Sequence, residues 1–136
     1  MKYTYIDVRE LERKAFMYSL TGMEMLNDYD AVIRDCNGVG ADWMPDSLTQ
    51  IITKMRKEME VPAAIHDRRY ATGKTPQDRQ DADLEFLTNV LRVVEFEYPW
   101  WHPLRYINRK RAERYYTYLR AFGGRAWEEA RKRYGN

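Results

Sequence analysis

The stretch that decides the fold is AAIHDRRYATGKTPQDRQDADLEF, residues 63–86, in which a histidine stands directly before an aspartate. Pro62 lies just ahead of this stretch, and proline is favoured in the first turn of a helix. Gly73 lies inside it, and glycine is the usual residue at a left-handed helix stop. We therefore predict a short helix over residues 61–71, ended by Gly73.

A second helix is predicted to begin just after this glycine. Thr75 is typical of an N-cap, Pro76 of the first helical position, and Asp78 completes a capping-box-like arrangement. The helix should run to about residue 97, and the short connection indicates that the two helices pack as an antiparallel hairpin. Its expected apolar stripe consists of Leu84, Leu87, Leu91 and Val94.

Two further helices are predicted before the hairpin. The first covers residues 7–20 and is stopped by Gly22, and the second starts with Asp46 or Ser47 as its N-cap. Each has an apolar face at helical spacing. The faces consist of Val8, Leu11, Ala15 and Tyr18 in the first helix, and of Leu48, Ile51, Ile52 and Met55 in the second.

The segment NDYDAVIRDCNGVGADWMP, residues 27–45, is rich in Asp, Asn and Gly and has no helical period. It predicts a loop, with a short strand at residues 31–34. After the hairpin we expect a basic helix over residues 104–122, ended by a glycine pair, and then a short helix that holds Trp127. The expected fold is mostly α, a compact single domain of residues 1–136 with a glycine-containing loop before the hairpin and a basic C-terminal helix.

Composition supports a globular protein and excludes several classes. The chain has 136 residues, of which 44% are hydrophobic and 32% charged, enough for one domain with a real core. It has no apolar run near the ~18 residues of a membrane span, and we expect no secretory signal. Cys36 is the only cysteine, so an internal disulfide is excluded and a reducing cytosol is expected.

Positive charge is concentrated at the C-terminus. Residues 103–136 contain 10 Lys and Arg against 3 Asp and Glu, which gives this segment a net charge of +7. The rest of the chain contains 13 against 18, which gives a net charge of −5. This asymmetry favours an anionic partner such as lipid head groups, nucleic acid or an acidic protein face, although a solvated helix face is equally consistent with it. No nucleic-acid motif is recognisable. The tryptophans of YPWWHP, residues 98–103, suit a membrane interface or, somewhat better, packing on the domain's own core.

His66 and Tyr70 lie one helical turn apart and share a face of the first hairpin helix. The second helix brings Asp78, Asp81 and Asp83 back along it, and one of these carboxylates is expected to meet the His66 ring. A carboxylate on one ring nitrogen fixes the tautomer and makes the other nitrogen a better base. The residues thus indicate the base and its orienting group in a hydrolytic site.

Asp67 points about 100° away from His66 around the helix and is free to hold a cation. A hard cation such as calcium prefers several oxygen ligands, often including backbone carbonyls. Gly38 and Gly40 permit a sharply turned loop that presents carbonyls, and a glycine amide there can donate to a developing oxyanion. The combination predicts hydrolysis of an ester by a water that His66 activates.

These residues carry a resemblance. HDRRY at 66–70 looks like the HDxxY helix of phospholipase A2, and GVG at 38–40 is similar to the G-x-G of its calcium loop. DADLEF at 81–86 resembles the A-D-x-x-F segment of the compact phospholipase A2 domains in parvovirus capsid proteins. The resemblance implies calcium as cofactor. It implies these roles: His66 as general base, Asp83 as its orienting carboxylate, Tyr70 as a donor to that carboxylate, Asp67 with the carbonyls of Cys36, Gly38 and Gly40 as calcium ligands, and the Gly38 amide in the oxyanion hole.

A second resemblance covers about half of the chain. HDRRYATG, DADLEFL and AERYYTYLRAFGGRAW, in that order, look like a family of small uncharacterised phage and prophage proteins. It implies a viral origin without an activity. We therefore expect synthesis in the host cytoplasm, with virion association as a further option.

Other interpretations of the histidine have less support. Metal-dependent phosphohydrolases with an HD pair use a further upstream histidine, and none precedes His66 here. A zinc site from Cys36, His66 and His102 lacks a recognised spacing. The leading expectation is a phage-encoded, phospholipase A2-like hydrolase that acts on a membrane or anionic phospholipid. The alternative is a non-enzymatic virion or accessory protein that uses the hairpin as scaffold and binds partners, such as a phage structural protein, through its basic aromatic C-terminus.

Overall fold

A computed structural model describes residues 2–36 and 46–135 of the chain. These residues form seven α-helices, one 3₁₀ turn and no strand. The prediction of a mostly helical protein is therefore confirmed. The helices are α1 (Tyr5–Met17), α2 (Tyr29–Asp35), α3 (Asp46–Lys54), α4 (Arg56–Thr72), α5 (Pro76–Glu97), α6 (Pro103–Phe122) and α7 (Gly124–Tyr134), and the 3₁₀ turn is Met23–Leu26.

The strand predicted at residues 31–34 is wrong, because these residues belong to α2. Asp28 caps this helix, and its side chain accepts a hydrogen bond from the Ala31 N–H at 3.1 Å. The cap offsets the weak helical preference of an Asp-rich segment. The preceding helix also differs slightly from its prediction, since α1 ends at Met17, ahead of Gly22.

Helices α4 and α5 pack against each other in antiparallel directions. Arg69 near the end of α4 pairs with Glu85 in the first half of α5 at 3.0 Å, and Tyr98 just after α5 donates to Glu58 near the start of α4 at 2.7 Å. Helix α4 begins earlier than predicted, so that Pro62 lies inside it. The connection between the helices is short, as the sequence indicates.

Gly73 ends α4 in an extended conformation, with φ −69° and ψ 163°, so the predicted left-handed stop is wrong. Glycine is required there by a neighbour instead. A Cβ at this position would lie 2.5 Å from Cη2 of the Trp127 ring. The predicted capping box of α5 is confirmed, because the Thr75 hydroxyl and the Asp78 N–H are 3.1 Å apart and the Asp78 carboxylate accepts from the Thr75 N–H at 3.1 Å.

The buried face of α5 differs from the predicted leucine stripe. Val94 is buried, Leu87 and Leu91 are half-buried, and Leu84 is exposed. The buried face includes the polar residues Asp83 and Asn89, so the apolar residues alone do not show its helical period. The buried residues are Ala82, Asp83, Phe86, Asn89, Val90, Val93 and Val94.

The predicted apolar faces of the first and third helices are confirmed as core. Val8, Leu11, Ala15 and Tyr18 are buried against α2 and α4, and Leu48, Ile51, Ile52 and Met55 are buried with α5 and α6. Helix α6 buries Asn108, Ala112, Tyr115 and Leu119.

The two tryptophans of the turn between α5 and α6 lie at the surface. Trp100 is 74% exposed and Trp101 is 64% exposed, so the interpretation that they pack on the core is wrong. Among the helices of the described residues, none has the length and apolar character needed to cross a membrane.

Candidate functional site

His66 and Asp83 form a buried pair between α4 and α5. The Nε2 atom of His66 lies 2.7 Å from Oδ1 of Asp83. Asp83 has no exposed surface, and His66 is 9% exposed. Of the three carboxylates that the sequence offers, Asp83 is therefore the one that meets the ring. Asp78 is used in the helix cap, and Asp81 accepts a hydrogen bond from Gln77 on the outer face.

The pairing defines the histidine tautomer. A carboxylate only accepts hydrogen bonds, so Nε2 of His66 must carry the proton that it donates to Asp83. In the neutral ring, Nδ1 then holds the lone pair and is the basic atom. No hydrogen bond to Nδ1 forms within residues 2–36 and 46–135.

Tyr70 completes the contacts on the same carboxylate oxygen. Its hydroxyl donates to Oδ1 of Asp83 at 2.7 Å, and its ring lies 4.2 Å from that of His66, centroid to centroid. Burial, followed by the charge of Asp83, raises the pKa of Tyr70. The rings of Tyr70 and of Trp127 in α7 pack in a T-shaped arrangement, with their centroids 5.1 Å apart. The three sequence-predicted residues His66, Tyr70 and Asp83 are thus brought together.

Two arginines hold the second oxygen of Asp83, and neither was predicted. Arg120 from α6 donates to Oδ2 at 2.6 Å, and Nε of Arg79 lies 3.8 Å from the same atom. Arg79 also donates to the backbone carbonyls of Leu119 and Arg120 at 3.2 and 3.1 Å. The spacing of Arg79 and Asp83, one helical turn apart, is a readable signal in the sequence. The contact of Arg120 depends on how α6 folds back and has no local signal.

These partners keep Asp83 ionised. Burial acts to raise its pKa, but hydrogen bonds from His66, Tyr70 and Arg120 act in the opposite direction and prevail, so the pKa is lowered. A buried carboxylate without such donors would instead tend to protonate. An ionised Asp83 can hold the proton on Nε2 and stabilise positive charge on the His66 ring.

Asp67 stands out within the HDRRY segment because no cation of the described residues forms an ion pair with it. Arg68 pairs with the buried carboxylate of Asp35 at 2.5 Å, and Arg69 pairs with Glu85 at 3.0 Å. No ion pair reaches the half-buried Asp67 from any described residue. Burial, followed by the negative charge of Asp35, raises its pKa well above the ordinary value. A cation beside this carboxylate would relieve both effects.

Cys36 lies close enough to Asp67 for the aspartate's charge to act on it. Burial raises the pKa of the Cys36 thiol, and the charge of Asp67 raises it further. The thiol donates to the Ala64 carbonyl at 3.3 Å, so its sulfur is engaged in the core. Gly38 and Gly40, which follow Cys36 in the chain, lie outside the described residues.

Metal ligation cannot be assembled from side chains of the described residues alone. Within them, no group of three or more His, Cys, Asp or Glu side chains is arranged to hold an ion. Asp67 remains available as a single ligand, because its carboxylate has no ion-pair partner among the described residues. The remaining oxygens would have to come from backbone carbonyls or water, which calcium accepts.

The arrangement places a basic ring nitrogen, its orienting carboxylate and the carboxylate of Asp67 close together along α4 and α5. His66 offers a basic nitrogen, Asp83 orients it, and Asp67 follows directly in the chain. The exposed tryptophans lie at the other end of α5 and do not cover this region. No protein-family model, curated protein or solved structure matches the chain.

Proposed function

We propose that the protein is a phospholipase A2-like hydrolase of phospholipid esters, encoded by a phage. The observation that carries the proposal is the His66–Asp83 pair at 2.7 Å with Tyr70 on the same carboxylate, followed by Asp67, which forms no ion pair with any described residue. The order of G-x-G, HDxxY and A-D-x-x-F along the chain adds to it. The α4–α5 hairpin would then be the phospholipase A2-like element.

In this mechanism the His66 Nδ1 atom takes a proton from water as the water oxygen attacks the ester carbonyl. The resulting imidazolium keeps its Nε2 proton, which Asp83 accepts in a charge-assisted hydrogen bond. Arg79 and Arg120 hold Asp83 in its ionised state, and Tyr70 fixes its orientation. The imidazolium then returns the proton from Nδ1 to the leaving alkoxide.

Asp67 would hold calcium together with backbone carbonyls, for which Cys36, Gly38 and Gly40 are proposed. When bound, calcium supplies positive charge to the phosphate and to the ester carbonyl of the substrate. A glycine amide, proposed at Gly38, would donate to the developing oxyanion. Free calcium in a cytosol is low, so the activity would stay silent until the protein reaches a calcium-rich compartment such as the host envelope.

The test is fatty-acid release from vesicles of phosphatidylglycerol and phosphatidylethanolamine. The full-length protein is assayed with millimolar calcium and with chelator, beside His66→Ala, Asp67→Asn and the control Asp81→Asn. We expect release by the wild type in calcium only, loss in His66→Ala and a higher calcium requirement in Asp67→Asn. Asp81 is exposed and lies on the same helix as Asp83, so its variant should match the wild type.

Circular dichroism of each variant separates lost chemistry from lost folding. Release that persists in folded His66→Ala would remove the histidine from the mechanism. A folded wild type that releases no fatty acid at any calcium concentration would refute the hydrolase proposal for these lipids.

A second candidate is a non-enzymatic interaction protein that keeps the hairpin as scaffold. The observation that favours it is the ion-pair cluster itself, since Asp83 joins α4, α5 and α6 through His66, Arg79 and Arg120. Such a cluster has a structural value without catalysis. In this case His66→Ala would lower stability and leave partner binding intact.

A further inference from the structure

The turn between α5 and α6 presents an unusual amount of apolar surface. Trp100, Trp101, Tyr106 and Ile107 are 74%, 64%, 53% and 43% exposed. We call these four residues the apolar tip. They lie within eight consecutive residues of the chain, at one end of the packed helices α5 and α6. Large aromatic side chains normally gain much from burial, so their concentration in one turn indicates a surface that is covered in use.

The backbone of this turn is braced by its own contacts. The backbone N–H of His102 donates to the Pro99 carbonyl at 2.9 Å. The side-chain Nδ1 of His102 accepts from the Leu104 N–H at 3.0 Å and so caps α6. The Tyr106 hydroxyl donates to the Trp100 carbonyl at 2.7 Å. Because these bonds hold the turn, docking of the indoles would require little additional ordering.

Cations follow the tip along α6. Arg109 and Lys110 are exposed, Arg105 and Arg111 are half-buried, and the first acidic residue of the helix is Glu113. Tyr106, Ile107 and Lys110 occupy the helix face opposite to the buried Asn108, Ala112 and Tyr115. The exposed face of α6 thus passes from apolar to basic within two turns.

We propose that the apolar tip and the adjoining cations dock on an anionic phospholipid surface. Indole rings favour the head-group level of a bilayer, and lysine and arginine nearby gain from anionic lipids. Single-stranded nucleic acid also stacks on aromatic rings next to arginine. It would gain little from the aliphatic Ile107, however, and the aromatic residues form the end of a helix pair rather than a groove.

This docking surface is separate from the His66 site and goes beyond the hydrolase proposal. Asp83 and the end of α5 at Glu97 are 14 residues apart, which corresponds to a rise of about 21 Å. Membrane binding by the tip should therefore survive the loss of His66. The two proposals can fail independently.

The test is sedimentation of the full-length protein with vesicles of pure phosphatidylcholine and with vesicles containing phosphatidylglycerol. We expect binding that requires phosphatidylglycerol, weakens with salt and is reduced about tenfold or more in Trp100→Ala/Trp101→Ala. The matched control is Phe16→Ala, which removes an aromatic ring that is 75% exposed on α1. Since all three side chains are exposed, these variants should keep the wild-type circular dichroism spectrum.

Charge is tested by Arg109→Glu/Lys110→Glu against Lys2→Glu/Arg9→Glu, which changes the net charge equally at exposed N-terminal positions. Only the α6 variant should lose the preference for anionic vesicles. His66→Ala should bind like the wild type, whatever its effect on fatty-acid release. Equal binding by the tryptophan and Phe16 variants would overturn the proposal. A wild type that binds no vesicles would overturn it as well. Loss of self-association or of single-stranded DNA binding in the tryptophan variant would then identify a different occupant of the tip.

Discussion

Replacing Asp83 by asparagine should strongly destabilise the protein without changing the size of the side chain. The wild-type carboxylate has no exposed surface and accepts from His66, Tyr70 and Arg120 at 2.6–2.7 Å. An asparagine can keep its oxygen towards His66 and Tyr70. Its amide nitrogen, a donor, then faces the donor groups of Arg120 and Arg79.

The magnitude follows from the partners that lose their counter-charge. Removing one member of a buried ion pair typically costs about 3–5 kcal/mol, because the other charge stays buried. The Arg120 side chain is 32% exposed and can turn partly to water, and Arg79 is 17% exposed. We therefore expect a loss near the lower end, about 3 kcal/mol, out of a total stability of roughly 5–15 kcal/mol.

The assay is urea unfolding followed by far-UV circular dichroism at several pH values. Because the pKa of Asp83 is lowered in the folded state, its contribution is present above the unfolded pKa of about 3.9 and is lost as pH falls through the folded value. The difference between wild type and variant should thus be largest near pH 7 and shrink in acid. Asp81→Asn is the control and should change stability by less than about 0.5 kcal/mol.

A loss below about 1 kcal/mol at pH 7, with an unchanged urea dependence, would refute this reasoning, since it lies far below the ion-pair cost. So would a difference that stays constant down to acidic pH. Either result would mean that Asp83 does not carry a buried charge held by its donors.

Three further predictions concern single side chains around the site. Asp67→Asn should raise the free energy of unfolding at pH 7 by on the order of 1 kcal/mol and have little effect in acid. The reason is that the raised pKa of Asp67 makes its ionised form unfavourable in the folded protein, and this cost grows as pH rises above about 3.9. Equal or lower stability in urea unfolding at pH 7 would contradict this. Tyr70→Phe should cost about 1 kcal/mol in the same assay, since it removes the hydroxyl's hydrogen bond to the buried carboxylate and keeps the ring, and an unchanged midpoint would speak against that bond. Gly73→Ala should lower the melting temperature by the equivalent of about 1–3 kcal/mol, because its Cβ would lie 2.5 Å from the Trp127 ring. In the control Gly124→Ala, the added Cβ meets no atom closer than 3.7 Å, so this variant should be nearly neutral. Equal effects of the two substitutions would contradict the close approach.

Local signals in the sequence predicted the elements that depend on neighbouring residues. The capping box of Thr75 and Asp78 fixed the start of α5, and the same assignment removes Asp78 from the candidates for pairing with His66. The choice between Asp81 and Asp83 was not local. It depends on which face of α5 meets α4, and the exposed Leu84 made the apparent stripe misleading.

Features that depend on long-range packing were missed. Arg120 reaches Asp83 from 37 residues away, and no spacing rule connects them. A glycine is required at position 73 by the close approach of the Trp127 ring rather than by a left-handed helix stop. The exposure of Trp100 and Trp101 likewise depends on how α5 and α6 pack together, which cannot be predicted from the composition of this turn.

The central claim is that Asp83 holds the His66 ring with its proton on Nε2 and leaves Nδ1 as the free base. The most direct measurement is the ¹⁵N chemical shifts of the His66 ring in its neutral form. A protonated Nε2 and an unprotonated Nδ1 in the wild type, with this preference weakened in Asp83→Asn, is the predicted result. A wild-type ring protonated on Nδ1 would contradict the claim, because the base would then be turned towards the carboxylate and away from any substrate.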